Sequence, residues 1–139
     1  MPFGQQYLAA YQNTAQALIP KERVPAVALG AVLMHIGRAD RAIVGGDIMG
    51  AHHELITAQQ ILGLLRAGLD REAGGPLAAR LDSVYAFTGL ELGRANLEKS
   101  RDRLSALVKV LTPLVEAWEG AATSVLRGGN PAPRGGIAG

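Results

Sequence analysis

The chain has 139 residues, a formal net charge of +2 and no cysteine. That length suffices for one domain with its own apolar core, and the missing thiols exclude disulfide staples and thiolate metal sites. Basic and acidic residues are interleaved (Arg38, Asp40, Arg41; Glu98, Lys99, Arg101, Asp102, Arg103), so the basic face that nucleic acid requires is absent and no nucleic-acid partner is expected.

The opening MPFGQQYLAAYQ carries neither a basic n-region nor an apolar h-region, so no secretory signal is expected. Phe3, Tyr7 and Tyr11 recur every four residues with Leu8 beside them. That is a short amphipathic piece that needs a surface to lie on. The uncharged run from Val24 to Gly37 is too short to span a bilayer. No membrane insertion is expected, and the setting expected is cytoplasmic.

Four helices follow from apolar spacing. Leu29, Val32, Ile36, Ala39 and Ile43 step by three and four. Ile48, Leu55, Leu62 and Leu69 recur every seven residues, with Ala51, Ala58 and Leu65 completing an a/d seam. Ala78, Leu81, Tyr85, Thr88, Leu92 and Ala95 mark a third helix. Leu104, Leu107, Leu111, Leu114, Trp118, Ala121 and Val125 mark a fourth. Gly45 and Gly46 can end the first helix, with Asp47 as N-cap of the second. Gly74 and Gly75 are expected to end the second, with Pro76 opening the third. Pro113 is expected to kink the fourth. Short connections make neighbours antiparallel, which predicts an all-α, antiparallel up-down four-helix bundle. Residues 1–127 form the single domain, with 1–19 as an N-terminal cap segment. The Gly/Pro-rich stretch 128–139 is expected to be a disordered tail.

Catalytic patterns are not found. A di-iron bundle needs Glu-x-x-His pairs, and no Glu here is followed three residues later by His. His52 and His53, adjacent on a helix, cannot aim both rings at one metal. A histidine-phosphotransfer bundle would want a lysine near His53, which is followed instead by ELITAQQ. AGGP lacks the lysine-bearing pattern of a phosphate loop. Neither metal, cofactor nor enzyme activity is expected.

The surplus lies in apolar residues off the seam. Ile56, Ile61 and Leu64 on the second helix, with Phe87, Leu90 and Leu97 on the third, are read as a groove. Such patches usually have a partner. Either the N-terminal piece, through Tyr7, Leu8 and Tyr11, covers this groove, or a foreign segment binds there.

Several stretches carry a resemblance. AYQ at 10–12, AI and GGD within 42–47, AHHELITAQQILGLL, LDREAGG with LAARLDSVY, RANLEKS at 94–100 and LTPLVEAWEGAA at 111–122 resemble the flagellar export chaperone family FliS, over about residues 7 to 122. The resemblance implies a bundle that binds the disordered C-terminal segment of flagellin in an apolar groove. It blocks premature polymerisation and keeps flagellin competent for type III export. It also implies that Tyr7 and Tyr11 gate the groove. The flagellar export gate and a cochaperone are further candidate partners. Leu29-Gly30-Ala31, Ile19-Pro20 and Pro25 depart from the family pattern in and before the first long helix. Alternatives from the residues alone are a self-associating adaptor with another client and, more remotely, the phosphotransfer domain.

Overall fold

The computed structural model describes residues 21–128. A short 3-10 turn, Lys21–Arg23, leads into α1 (Val24–Val44). It is followed by α2 (Ile48–Ala67), α3 (Arg71–Glu98) and α4 (Arg101–Leu126). The described residues contain no strand. The tyrosine-bearing segment with Tyr7, Leu8 and Tyr11, and tail residues 129–139, lie outside them.

Each turn is closed by its own sequence. Gly46, at φ 80°, donates its N–H to Ile43, and Asp47 caps α2 by accepting from the Gly50 N–H at 2.9 Å. Between α3 and α4, Lys99 takes the left-handed conformation (φ 50°, ψ 47°). The Ser100 hydroxyl then accepts from Arg103 N–H at 3.2 Å.

The second corner departs from expectation. α2 ends at Ala67, where Gly68 N–H bonds back to Leu64. Asp70 starts α3 at once, its carboxylate accepting from Ala73 N–H at 3.0 Å. The pair Gly74-Gly75 therefore does not end α2; it breaks the start of α3. Gly75 sits at φ 51°, ψ −131°, a non-helical conformation that kinks the chain, and Pro76 opens the long straight part. Pro113, expected to kink α4, lies within a helix assigned without a break. It is exposed, so the carbonyl it leaves without a helical donor faces water.

The helices form a ring. α1 packs against α2 most extensively and against α4 on its other side; α3 packs on α2 and closes more loosely on α4. Leu29, Val32, Ile36, Leu55, Leu62, Tyr85, Leu92, Leu104 and Leu111 make the centre. Burial pushes the Tyr85 phenol up from its ordinary pKa. The Trp118 indole stands beside that phenol, yet its N–H closes no hydrogen bond of good geometry. Ile48 was expected in the seam, but at 50% exposure it lies beyond the covered part of α2. Among the described residues no helix is long and apolar enough to cross a membrane.

Two glycines separate backbone need from helix propensity. Gly75→Ala places a Cβ in a strained conformation and should cost about 1–3 kcal/mol. Gly30→Ala fills open space inside α1 and should add about 0.5–1 kcal/mol. Urea unfolding of the two variants checks both signs.

Candidate functional site

The register between α2 and α3 is set by three polar contacts, each seven residues from the next. His52 Nδ1 meets Asn96 Nδ2 at 2.9 Å. Gln59 Nε2 donates to the Gly89 carbonyl at 3.1 Å, and Arg66 Nε donates to Asp82 at 2.8 Å. Seven residues along α2 match seven residues back along α3, as an antiparallel heptad pair requires. Glycine permits the close approach in the middle: a Cβ on Gly93 would lie 3.2 Å from Gln59 Nε2.

These contacts mark the flank of α2 that faces α3, and they locate the off-seam residues. Ile56, Gln60 and Leu64 follow each other at four-residue steps on the outward side of α2. On α3, Leu90 and Leu97 lie outside the seam, 55% and 88% exposed, and Phe87, 53% exposed, lies further round the helix, one turn before the Glu91 that meets Arg103 of α4; Leu64 is 36% exposed and Ile56 half-buried. Residues 55–65 of α2 and 83–90 of α3 contain no charged side chain. The Gln60 Oε1 atom is buried without a hydrogen-bond partner. The uncharged stretch ends at the Arg66–Asp82 pair on one side and at Glu91 on the other; Leu97 lies beyond it, one turn past the exposed Arg94.

Ile61 is a correction. It is only 1% exposed and belongs to the core, so it offers no surface to a partner. It lies two helical turns beyond Glu54 on the same face, and Glu54 is bonded to His35 of α1. That flank is covered by α1. A helical wheel for α2 alone cannot show which of its two flanks has a neighbour.

The polar residues around the uncharged stretch are paired. Buried His35 meets Glu54 through Nδ1 at 2.6 Å, fixing α1 to α2. Lys99 Nζ donates to Asn96 Oδ1 at 2.8 Å and to the Asn96 carbonyl. Arg103 bridges Glu91 and Glu98. Asp82 accepts from Arg66 and Arg71, and those hydrogen bonds hold its carboxyl down at about 2. Among the described residues no three acidic, cysteine or histidine side chains converge as a metal site. An open depression of about 470 Å³ lies elsewhere, lined by Glu119, Gly120, Thr123, Ser124 and Arg127 at the end of α4. The sequence did not signal the Asn96–Lys99 side of the arrangement. Asn96 carries no apolar spacing, and its role depends on a left-handed lysine three residues later.

The fold is a small antiparallel helical bundle with exposed apolar side chains on the outer surfaces of two of its helices. The family model for the flagellar protein FliS matches residues 3–125, and the chain belongs to that family. It is 32% identical to the flagellar secretion chaperone FliS of Campylobacter jejuni over 112 residues, 81% of this chain and 87% of the relative. It is 31% identical to the flagellar secretion chaperone FliS of Salmonella typhimurium over 83 residues, 59% of this chain and 62% of that relative. A flagellar secretion chaperone FliSB of Pseudomonas aeruginosa is 35% identical over 60 residues, 43% of this chain and 48% of the relative.

The Asp82 contacts have a pH signature. A carboxyl depressed in the folded state contributes stability above its unfolded pKa of about 3.9, and loses it as pH falls towards about 2. Asp82→Asn should be less stable than the parent at neutral pH, and the gap should close between about pH 4 and pH 2. Thermal melts stepped through that range check it; parallel curves would show that these ion pairs add nothing.

Proposed function

We propose that an apolar strip along α2 and α3 receives the disordered C-terminal segment of flagellin, as an amphipathic helix laid in a groove. The observation that carries this reading is the set of exposed apolar side chains on the outer surfaces of α2 and α3, Leu64, Phe87, Leu90 and Leu97 with half-buried Ile56, in a chain of the flagellar protein FliS family. A segment that would otherwise polymerise finds a temporary apolar partner there. Because the segment folds as it binds, several kcal/mol go to ordering it. That keeps the complex releasable at the flagellar export gate. The setting is the cytoplasm, before export, and no covalent chemistry is involved.

Tyr7, Leu8 and Tyr11 would lie over the same strip in the absence of client and be displaced by it. A cochaperone would have to use another face of the bundle.

Calorimetric titration with the C-terminal segment of the same organism's flagellin tests the reading. One-to-one binding with a negative heat-capacity change is expected. Phe87→Asp and Leu90→Asp should each weaken it by about 100-fold or more, since a charge would have to enter an apolar contact. Both side chains are exposed, so circular dichroism should be unchanged. Parent-like affinity in both variants would move the site off this groove. A dimer that persists without client would favour self-association through the same face.

A further inference from the structure

We infer that His52, Asn96 and Lys99 form a proton-operated latch between α2 and α3 at one end of the groove. The Lys99 ammonium can only donate, so the Asn96 amide atom it touches at 2.8 Å must be the oxygen. The other end of the amide, the NH2 group, then faces His52 Nδ1 at 2.9 Å. A donor on that side requires a lone pair on Nδ1. His52 is therefore neutral in the latched state, with its proton on Nε2.

Protonation puts an N–H on Nδ1, and two donors then face each other. Rotating the amide to offer its oxygen to the imidazolium would turn its NH2 group onto the Lys99 ammonium. Lys99 is also tied to the Asn96 carbonyl and held in its left-handed turn. The amide thus stands between two cations on opposite sides and can satisfy only one. Latching and proton uptake at His52 compete, so acid opens this contact.

The ring meets Asn96 and His53, and the carboxylate nearest in sequence, Glu54, is engaged by His35. On α2, His53 lies with its ring centroid 5.8 Å away, a second imidazole rather than a counter-charge. On α3, Glu98 is engaged by Arg103; beyond the turn, Arg101 at the start of α4 is engaged by Asp40 of α1. Lys99 is the nearest fixed charge in the chain of contacts. The opposite flank of α2 behaves differently. His35 faces the Glu54 carboxylate of α2, a partner that accepts from a protonated imidazole. Acid therefore loosens this end of the α2–α3 contact while leaving the Gln59 and Arg66 contacts and the attachment to α1 intact. Asn96 is buried, and its neighbour Leu97 is the most exposed apolar residue of the strip. The latch therefore sits where α3 carries one end of the groove. Its effect on client rests on the function proposed above; the latch itself does not.

The test uses the full chain without client. Long-range proton–nitrogen spectra of the histidine rings should show His52 with its proton on Nε2 at pH 8. They should also show the Asn96 side-chain amide shifting together with His52 as pH is lowered to 5. Asn96→Asp supplies a carboxylate that accepts from both cations, so the sign should reverse. Relative to His52→Gln, the parent should lose melting temperature from pH 8 to pH 5.5, and Asn96→Asp should gain it. The same sign in both, or a proton found on Nδ1 at pH 8, would overturn the latch. His53→Gln should leave the parent behaviour unchanged. If Asn96→Asp fails to fold, the ring spectra and the parent-to-His52→Gln comparison decide the matter alone. Flagellin-segment affinity at the two pH values then reports separately: a working latch with no client binding at either pH removes the groove assignment only.

Discussion

Ala28, Ala31 and Ala39 line one flank of α1, and His35 on the same flank reaches Glu54 of α2. On α2, Ala51 and Ala58 are fully buried. Small side chains at these positions let two helix backbones approach closely along their lengths, and packing at native density then fixes their relative position. This alanine-lined contact is the constraint on which the rest of the bundle depends. α3 is positioned by α2, and α4 by α1, whereas α3 and α4 touch each other least. A larger residue at Ala51 or Ala58 would disturb every helix, because each is referred to this pair.

Fixing α2 against α1 on one flank leaves the other for α3, and the two contacts are built differently. The α1 side is dry and alanine-rich, with one histidine–carboxylate pair. The α3 side carries a polar contact every seventh residue, through His52, Gln59 and Arg66. Hydrogen bonds fix register with little net free energy, whereas apolar burial supplies most of the attraction. The α2–α3 side is thus well specified in register, while the outer surfaces of both helices keep large apolar side chains uncovered. The groove proposed above would be held in register by those polar contacts.

The bundle was legible in the sequence because the signals were redundant. Leu55, Leu62, Ala51 and Ala58 repeat every seven residues, and Gly46 and Asp47 mark a turn in two independent ways. The family resemblance, over nearly the same residues, agreed with the match found. Where signals conflicted, the reading failed. Leu69 continues the heptad of α2, so the helix was drawn past Gly68 to Gly74. The Asp70 cap outweighs that periodicity, and Gly75 then serves as a kink. The exposure of Phe87, Leu90 and Leu97 could be read because a residue opposite the seam is exposed whatever its neighbours. Ile61 could not be placed, since its flank is buried only because α1 is there. The polar chain through Asn96 and Lys99 was out of reach for a further reason. It depends on a positive φ at a lysine, which nothing in local propensity announces.

The exposure pattern also bears on how tightly such a groove can hold anything. Hydrophobic stabilisation scales with the area newly removed from water, and Ile56 and Leu64 are already largely covered by their own helices. Most of the available gain is on α3, above all at Leu97, the side chain next to Asn96. In the proposed function a bound segment would draw much of its attraction from the end of α3 that the His52–Asn96–Lys99 chain positions. The rest of the contact sets direction more than strength. In the proposed function that division would favour release, because loss of the contacts at one end removes most of the hold. A client whose hold is concentrated at one end can be peeled away, beginning where a single polar contact gives.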